Sequence, residues 1–170
     1  MSFQDKLLKS YSKSMLLYQD EPEYGLVLKL ILVIVPVMLL GASLYLWSSD
    51  ESAGALVLLF EAFFVSLILW FVFPRRYQVY EDHLRIVLGG QFAIKIGFAQ
   101  IKTIEVTNKT ALTVNFATRI TTTYVRIVKN KGLSIAITPK LNESFVENAN
   151  RALHRWQETN TGTKHTRFPR

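Results

Sequence analysis

Cysteine is absent from this 170-residue chain, which excludes a disulfide framework, thiolate metal ligands and cysteine nucleophiles. Histidine is scarce: His83, His154 and His165 are scattered, and no pair has metal-ligand spacing on one element. No Gly-rich phosphate loop, G-x-S-x-G elbow or H-E-x-x-H motif occurs. The pattern therefore predicts no catalytic residues, no cofactor and no metal. Charge is missing from two long stretches as well. Lys29 is the only charged residue between Leu26 and Trp47, and Glu61 the only one between Ala53 and Phe73.

Those two stretches define the chain. About 20 apolar residues of helix cross a bilayer core, so runs 26–47 and 53–73 are each long enough to span. A signal-peptide core is about 7–15 residues and lies close to the start; here the first run is longer, begins after two dozen mostly polar residues and is followed at once by another. A soluble domain of this size could hardly bury two helices that are apolar all round. The pattern predicts a transmembrane hairpin over 26–73, preceded by a cytoplasmic N-terminal segment over 1–25.

Lysine and arginine set its expected orientation. The connecting loop, Ser48 to Ser52, has none, whereas Lys6, Lys9 and Lys13 precede the first run, Lys29 lies close enough to its start to snorkel, and Arg75 and Arg76 follow the second. Positive flanks stay in the cytoplasm, so both termini are expected inside the cell, in the inner (plasma) membrane. Tyr45 and Trp47 suit the outer interface and Trp70 the inner one. Residues 1–74 carry four Lys or Arg against seven Asp or Glu, while residues 75–170 carry sixteen against six. A basic domain tethered there feels anionic headgroups, which makes the bilayer itself an expected partner, with Lys29, Arg75 and Arg76 at its surface.

After the hairpin the period changes. Leu84, Ile86 and Leu88 alternate with His83, Arg85 and Val87; similar alternation runs through Ile94 to Phe98, Leu112 to Phe116, Val125 to Val128 and Ile135 to Ile137. Period two over short segments marks half-buried antiparallel strands. Glu81-Asp82, Gly89-Gly90, Asn108-Lys109 and Asn130-Lys131-Gly132 punctuate them as turns. Past Pro139, the residues Phe145, Ala149, Ala152, Leu153 and Trp156 form one stripe of an amphipathic helix, with Asn142 as its expected N-cap. The polar, basic segment 158–170 is expected to be a disordered tail.

The stretch Tyr77-Gln-Val-Tyr-Glu-Asp-His-Leu-Arg-Ile-Val-Leu-Gly-Gly resembles the first hairpin of bacterial PH-like domains. Phe98-Ala-Gln-Ile101-Lys-Thr-Ile104 resembles their I-x-x-I strand, and Val125 to Lys140 followed by Glu143-Ser-Phe145 resembles their last hairpin and closing helix. The resemblance covers about residues 75–156. It implies an α+β membrane protein: a transmembrane hairpin followed, over 75–157, by a PH-like antiparallel β-barrel or sandwich capped by a C-terminal α-helix. Members of the family often carry transmembrane helices beside the domain. Phosphoinositide-binding PH domains hold basic residues in their first turn; here that turn is Glu81-Asp82-His83, and carboxylates repel phosphate.

Glu61 is the unusual residue of the hairpin, since an intramembrane carboxylate is costly. It lies near the depth of Pro36 to Leu40. Pro36 cannot donate to the carbonyl of Leu32. Ser66, near that depth, can either reach this carbonyl or bond back within its own helix. Two readings of Glu61 stand side by side: a proton or cation site, and a hydrogen-bonding group inside the hairpin or at an interface with another helix. A lone carboxylate forms no relay, which favours the second. The expected function is a non-enzymatic membrane-anchored module on the cytoplasmic face that binds a protein partner or a second copy, or regulates a membrane complex. The alternatives are a bacteriocin-immunity or envelope-stress membrane protein, and a small transporter or membrane-enzyme subunit using Glu61. No recognised aromatic motif supports nucleic-acid binding.

Overall fold

A computed structural model of the chain describes residues 14–108, 113–119 and 121–162. Two helices, α1 (Leu26–Ser48) and α2 (Ser52–Val72), form the hairpin. At 1.5 Å per residue they are roughly 30 Å long or slightly more, enough to cross a bilayer core. Ser43 on α1 and Ala55 and Ala62 on α2 are their buried residues, so these are not the core helices of a soluble fold. The Ser43 hydroxyl donates to the Ala55 carbonyl at 2.8 Å and joins the two helices. At the turn, Asp50 takes a left-handed conformation with φ of 62°, one that Asp tolerates better than most residues.

The remaining elements make two four-stranded sheets and a helix. The first sheet has the order β1-β2-β3-β4, from strands Leu16–Asp20, Arg76–Tyr80, His83–Val87 and Ala93–Gly97. The second has the order β5-β7-β8-β6, where β5 is Ile101–Thr107, β6 Thr113–Phe116, β7 Tyr124–Lys129 and β8 Ser134–Ile137. Helix α3 (Asn142–Gly162) packs on β1, β2, β5 and β7. The sheets do not close into a barrel; the arrangement is a sandwich.

Alternation fixes what lies inside. Tyr77, Val79, Leu84, Ile86 and Ile96 face inward from the first sheet, and Ile104, Val125, Ile127, Ile135 and Ile137 from the second. Phe145, Ala149, Ala152 and Leu153 close the core from α3, and Trp156 packs partly buried beside it, edge-on to Phe98. Each large apolar side chain buried this way contributes about 1.5–3 kcal/mol before entropy is counted.

The structure differs from the sequence pattern in four places. Residues Leu16–Asp20 are not a free leader: they pair antiparallel with β2, Asp20 opposite Tyr77 and Leu16 opposite Tyr80. The hairpin is therefore inserted between the first two strands of the domain. The sheets are not wholly antiparallel, because β6 lies parallel to β8; the long connection from β6 through β7 allows it. Asn142 is already in the first turn of α3, and its Oδ1 is buried without a hydrogen-bond partner. The buried Asp20 carboxylate fastens this helix start instead, accepting from the Leu141 N–H at 2.9 Å. Finally, α3 continues past Glu158 to Gly162. Lys6, Lys9, Lys13, Lys109, Leu112 and His165 lie outside the described residues.

Candidate functional site

The insertion places a set of bonded contacts at the junction between hairpin and sandwich. Pro74 forces Phe73 into an extended conformation and ends α2. Immediately afterwards the Arg75 N–H donates to the Val87 carbonyl at 2.6 Å and starts the sheet. On the entering side, Glu23 N–H donates to the Thr138 carbonyl and Gly25 N–H to the Thr118 carbonyl, both at 3.0 Å. The buried Thr118 hydroxyl donates back to the Glu23 carbonyl at 2.7 Å. Arg119 pairs with the Glu23 carboxylate at 2.5 Å. Across the two chain segments, the Tyr24 hydroxyl donates to the Pro74 carbonyl at 2.6 Å. Burial pushes the Tyr24 pKa up, and the nearby Arg75 charge opposes the shift.

The β3–β4 turn completes the junction. Gly90 has a φ of 68°, as a tight hairpin turn allows glycine. Gly89 answers a different need. A Cβ there would sit 1.7 Å from the backbone oxygen of Trp70, so only glycine lets the turn rest on the end of α2. Phe92 adds an edge-to-face contact with Phe71, centroids 5.4 Å apart. The Gly-Gly pair is thus a turn and also a docking point, a role its spacing does not reveal.

Four of the six residues singled out in the sequence meet at one place. Lys29, Pro36, Ser66 and Arg75 line a groove of about 550 Å³ that runs between the domain-proximal ends of α1 and α2. Its upper rim is Tyr24, Lys29 and Arg75, its walls include Leu32, Val33, Leu69 and Trp70, and Pro36 and Ser66 lie deepest in the hairpin. The Arg75 guanidinium lies over the Trp70 ring at 4.2 Å from its centroid, a cation–π geometry that holds the cation at the end of α2. Ser66 bonds back to the Ala62 carbonyl at 2.7 Å within its own helix. The Leu32 carbonyl, which Pro36 cannot serve, gains nothing from it.

The other two are elsewhere. Arg76 opens β2 opposite Val87 and is exposed, away from the groove. Glu61 is exposed on α2, with no hydrogen-bond or ion-pair partner among the described residues. Of the two places expected for its bond, the hairpin interior offers none among the described residues, which leaves an interface with another helix. The polar link between the helices is Ser43 to Ala55. Its only signal in sequence is the cluster of small residues Gly41-Ala42-Ser43 facing Ala53-Gly54-Ala55 across the turn.

Asp82, in the turn between β2 and β3, is bonded at 2.6 Å to His83, the first residue of β3, whose ring stacks on Tyr80. The same turn exposes Glu81 and Asp82, so the acidic character read from sequence is at the surface.

The bacterial PH domain family matches residues 75–150. This segment is a bacterial PH domain. The match begins at Arg75 and ends within α3, so β1 and the hairpin lie outside it, although β1 completes the domain's first sheet. Searches among curated proteins and among solved structures gave no match.

Proposed function

We propose that the chain is a non-enzymatic membrane-anchored PH module, held against the cytoplasmic face of the plasma membrane, where it docks a protein partner or modulates a neighbouring membrane complex. The observation that carries this reading is the insertion itself. Because the hairpin leaves and re-enters the PH domain between paired strands, the domain is bonded within three residues of each helix end, at Gly25 before α1 and at Arg75 after α2. Such a domain cannot swing away on a linker; it stays at headgroup height with a fixed face toward the membrane. Lys29, Arg75 and Arg76 at this end, against Asp50 and Glu51 at the far turn, support the cytoplasmic placement. The edges of the two sheets and the outer face of α3 are the surfaces offered to a partner. The unpartnered Glu61 supports contact with a second transmembrane helix, that of another copy.

A cysteine-free chain makes the test direct. Ser49→Cys, in the helix turn, is expected to react with a membrane-impermeant maleimide on intact cells, and Lys131→Cys, in the β7–β8 turn, only after lysis. The opposite labelling pattern would refute the cytoplasmic placement.

A further inference from the structure

We propose that the groove between the domain-proximal ends of α1 and α2 binds one anionic glycerophospholipid, with its phosphate between Lys29 and Arg75 and an acyl chain lying along Leu32 and Val33 toward Pro36. The inference rests on the membrane-anchored reading and gives it a specific ligand.

Three observations carry it. The first is uncompensated charge. The ion pairs among the described residues are Asp82–His83, Glu23–Arg119, Glu105–Arg126 and Glu147–Arg151. Neither Lys29 nor Arg75 has a carboxylate partner among the described residues. Glu23, the acid next to the groove's rim residue Tyr24, is turned to Arg119 and so is withdrawn from this duty.

The second is order. Stacking on Trp70 fixes the Arg75 guanidinium while leaving its edge N–H groups free for the bidentate geometry that phosphate favours. A diffuse attraction between basic residues and anionic lipid needs no such positioning.

The third is the amphipathic wall. Cations occupy only the rim, and below them the groove is lined by Leu32, Val33, Leu69 and Pro36. A free phosphate ion would satisfy the rim and leave the rest unfilled. A phospholipid matches both parts in the order in which the bilayer presents them. A volume of about 550 Å³ is within the usual range for small-ligand sites.

The test uses the purified full chain, released from nanodiscs of mixed phosphatidylglycerol and phosphatidylcholine for native mass spectrometry. One retained phosphatidylglycerol per chain is expected. Lys29→Gln with Arg75→Gln is expected to lower its occupancy on the order of tenfold, as loss of charge-assisted bonds does. Arg76→Gln, outside the groove, is expected to leave it unchanged. Val33→Trp keeps both charges but fills the wall, and is expected to displace the lipid. An unchanged occupancy in the double variant overturns the site. So does an equal loss in Arg76→Gln, which would mean diffuse attraction, and so does equal competition by millimolar inorganic phosphate, which would make the apolar wall irrelevant. Alkaline carbonate extraction of the same variants separates the two readings. Protein that stays in the membrane without retaining the lipid refutes only this site, whereas protein that is extracted refutes the anchoring itself.

Discussion

Phe63 of α2 leaves 62% of its surface open, and Phe98 of the PH domain leaves 1%. The same side chain is thus left open in one region and packed away in the other. In the domain, water drives apolar side chains of two sheets and α3 into a common core. In the hairpin most large apolar residues are exposed, and the fully buried positions between the helices are the small residues Ser43, Ala55 and Ala62, flanked by half-buried leucines such as Leu32, Leu39 and Leu46. That is the pattern expected where lipid removes the hydrophobic drive for helices to associate. The difference teaches where coupling has to come from. Neither core extends into the other, so the regions are joined by bonded contacts at the junction: Tyr24 with Pro74, Gly25 with Thr118, and the Gly89 turn on Trp70.

The largest effect is expected from taking the two regions apart. Replacing residues 25–73 by a short Gly-Ser linker is expected to leave a folded, cooperatively melting domain, because Tyr24 and Pro74 already lie within a hydrogen bond of each other. Deleting residues 1–20 instead is expected to abolish cooperative unfolding. It exposes the edge of β2 and removes the Asp20 carboxylate that holds Leu141 at the start of α3. Circular dichroism during thermal melts compares the two. A stable domain without β1 would show that the strand merely decorates the sheet.

Gly89→Val is the next step down. Its Cβ meets the Trp70 backbone oxygen, which cannot move without unwinding the end of α2. A loss of about 1–3 kcal/mol or more is expected from this overpacking in the full chain, measured by denaturant titration in detergent. In the linker variant, where α2 is gone, the same substitution is expected to be nearly neutral. Equal losses in both backgrounds would mean that Gly89 serves the turn alone.

How far these features could be read in advance follows from the range of the contacts. The two long apolar helices were legible because a run of 20 apolar residues is a local property, and so were the stripe of Phe145, Ala149, Ala152 and Leu153 and the alternation through β3, β7 and β8. Strand β1 was not. Leu16 to Asp20 shows no clean alternation, and its pairing with Tyr77 to Tyr80 closes a loop of more than fifty residues. The parallel β6–β8 pair and the Asp20 grip on Leu141 are hidden for the same reason, as each joins segments that only the complete fold brings together. The groove was half visible. Lys29, Pro36, Ser66 and Arg75 each stood out by type, but their meeting depends on how α1 and α2 are packed. Glu61 stood out too, and packing turned it outward.

Glu61→Leu tests the outward carboxyl. A polar ionisable group at mid-span has to find a partner or be neutralised, and the hairpin supplies no partner. The substitution is expected to weaken self-association in liposomes by about 1–2 kcal/mol, read by energy transfer between labelled copies. Glu61→Gln, which keeps hydrogen-bonding capacity, is expected to retain it. Unchanged transfer in the leucine variant would remove Glu61 as a contact between copies and would leave the hairpin as an anchor only.

The smallest effect is expected at Ser43. Its hydroxyl is buried between the helices and bonded to the Ala55 carbonyl, which already accepts from its own helix. Ser43→Ala therefore removes a donor without leaving that acceptor bare, and the smaller side chain still fits against Ala55. Interhelical hydrogen bonds in membranes average about 0.6 kcal/mol, so a loss near that size is expected in steric trapping of the helix pair. A loss several times larger would mean that one hydrogen bond, and not small-residue packing, holds the hairpin closed. The contrast with the PH domain, where burial of many large side chains carries the stability, would then be sharper than the packing alone implies.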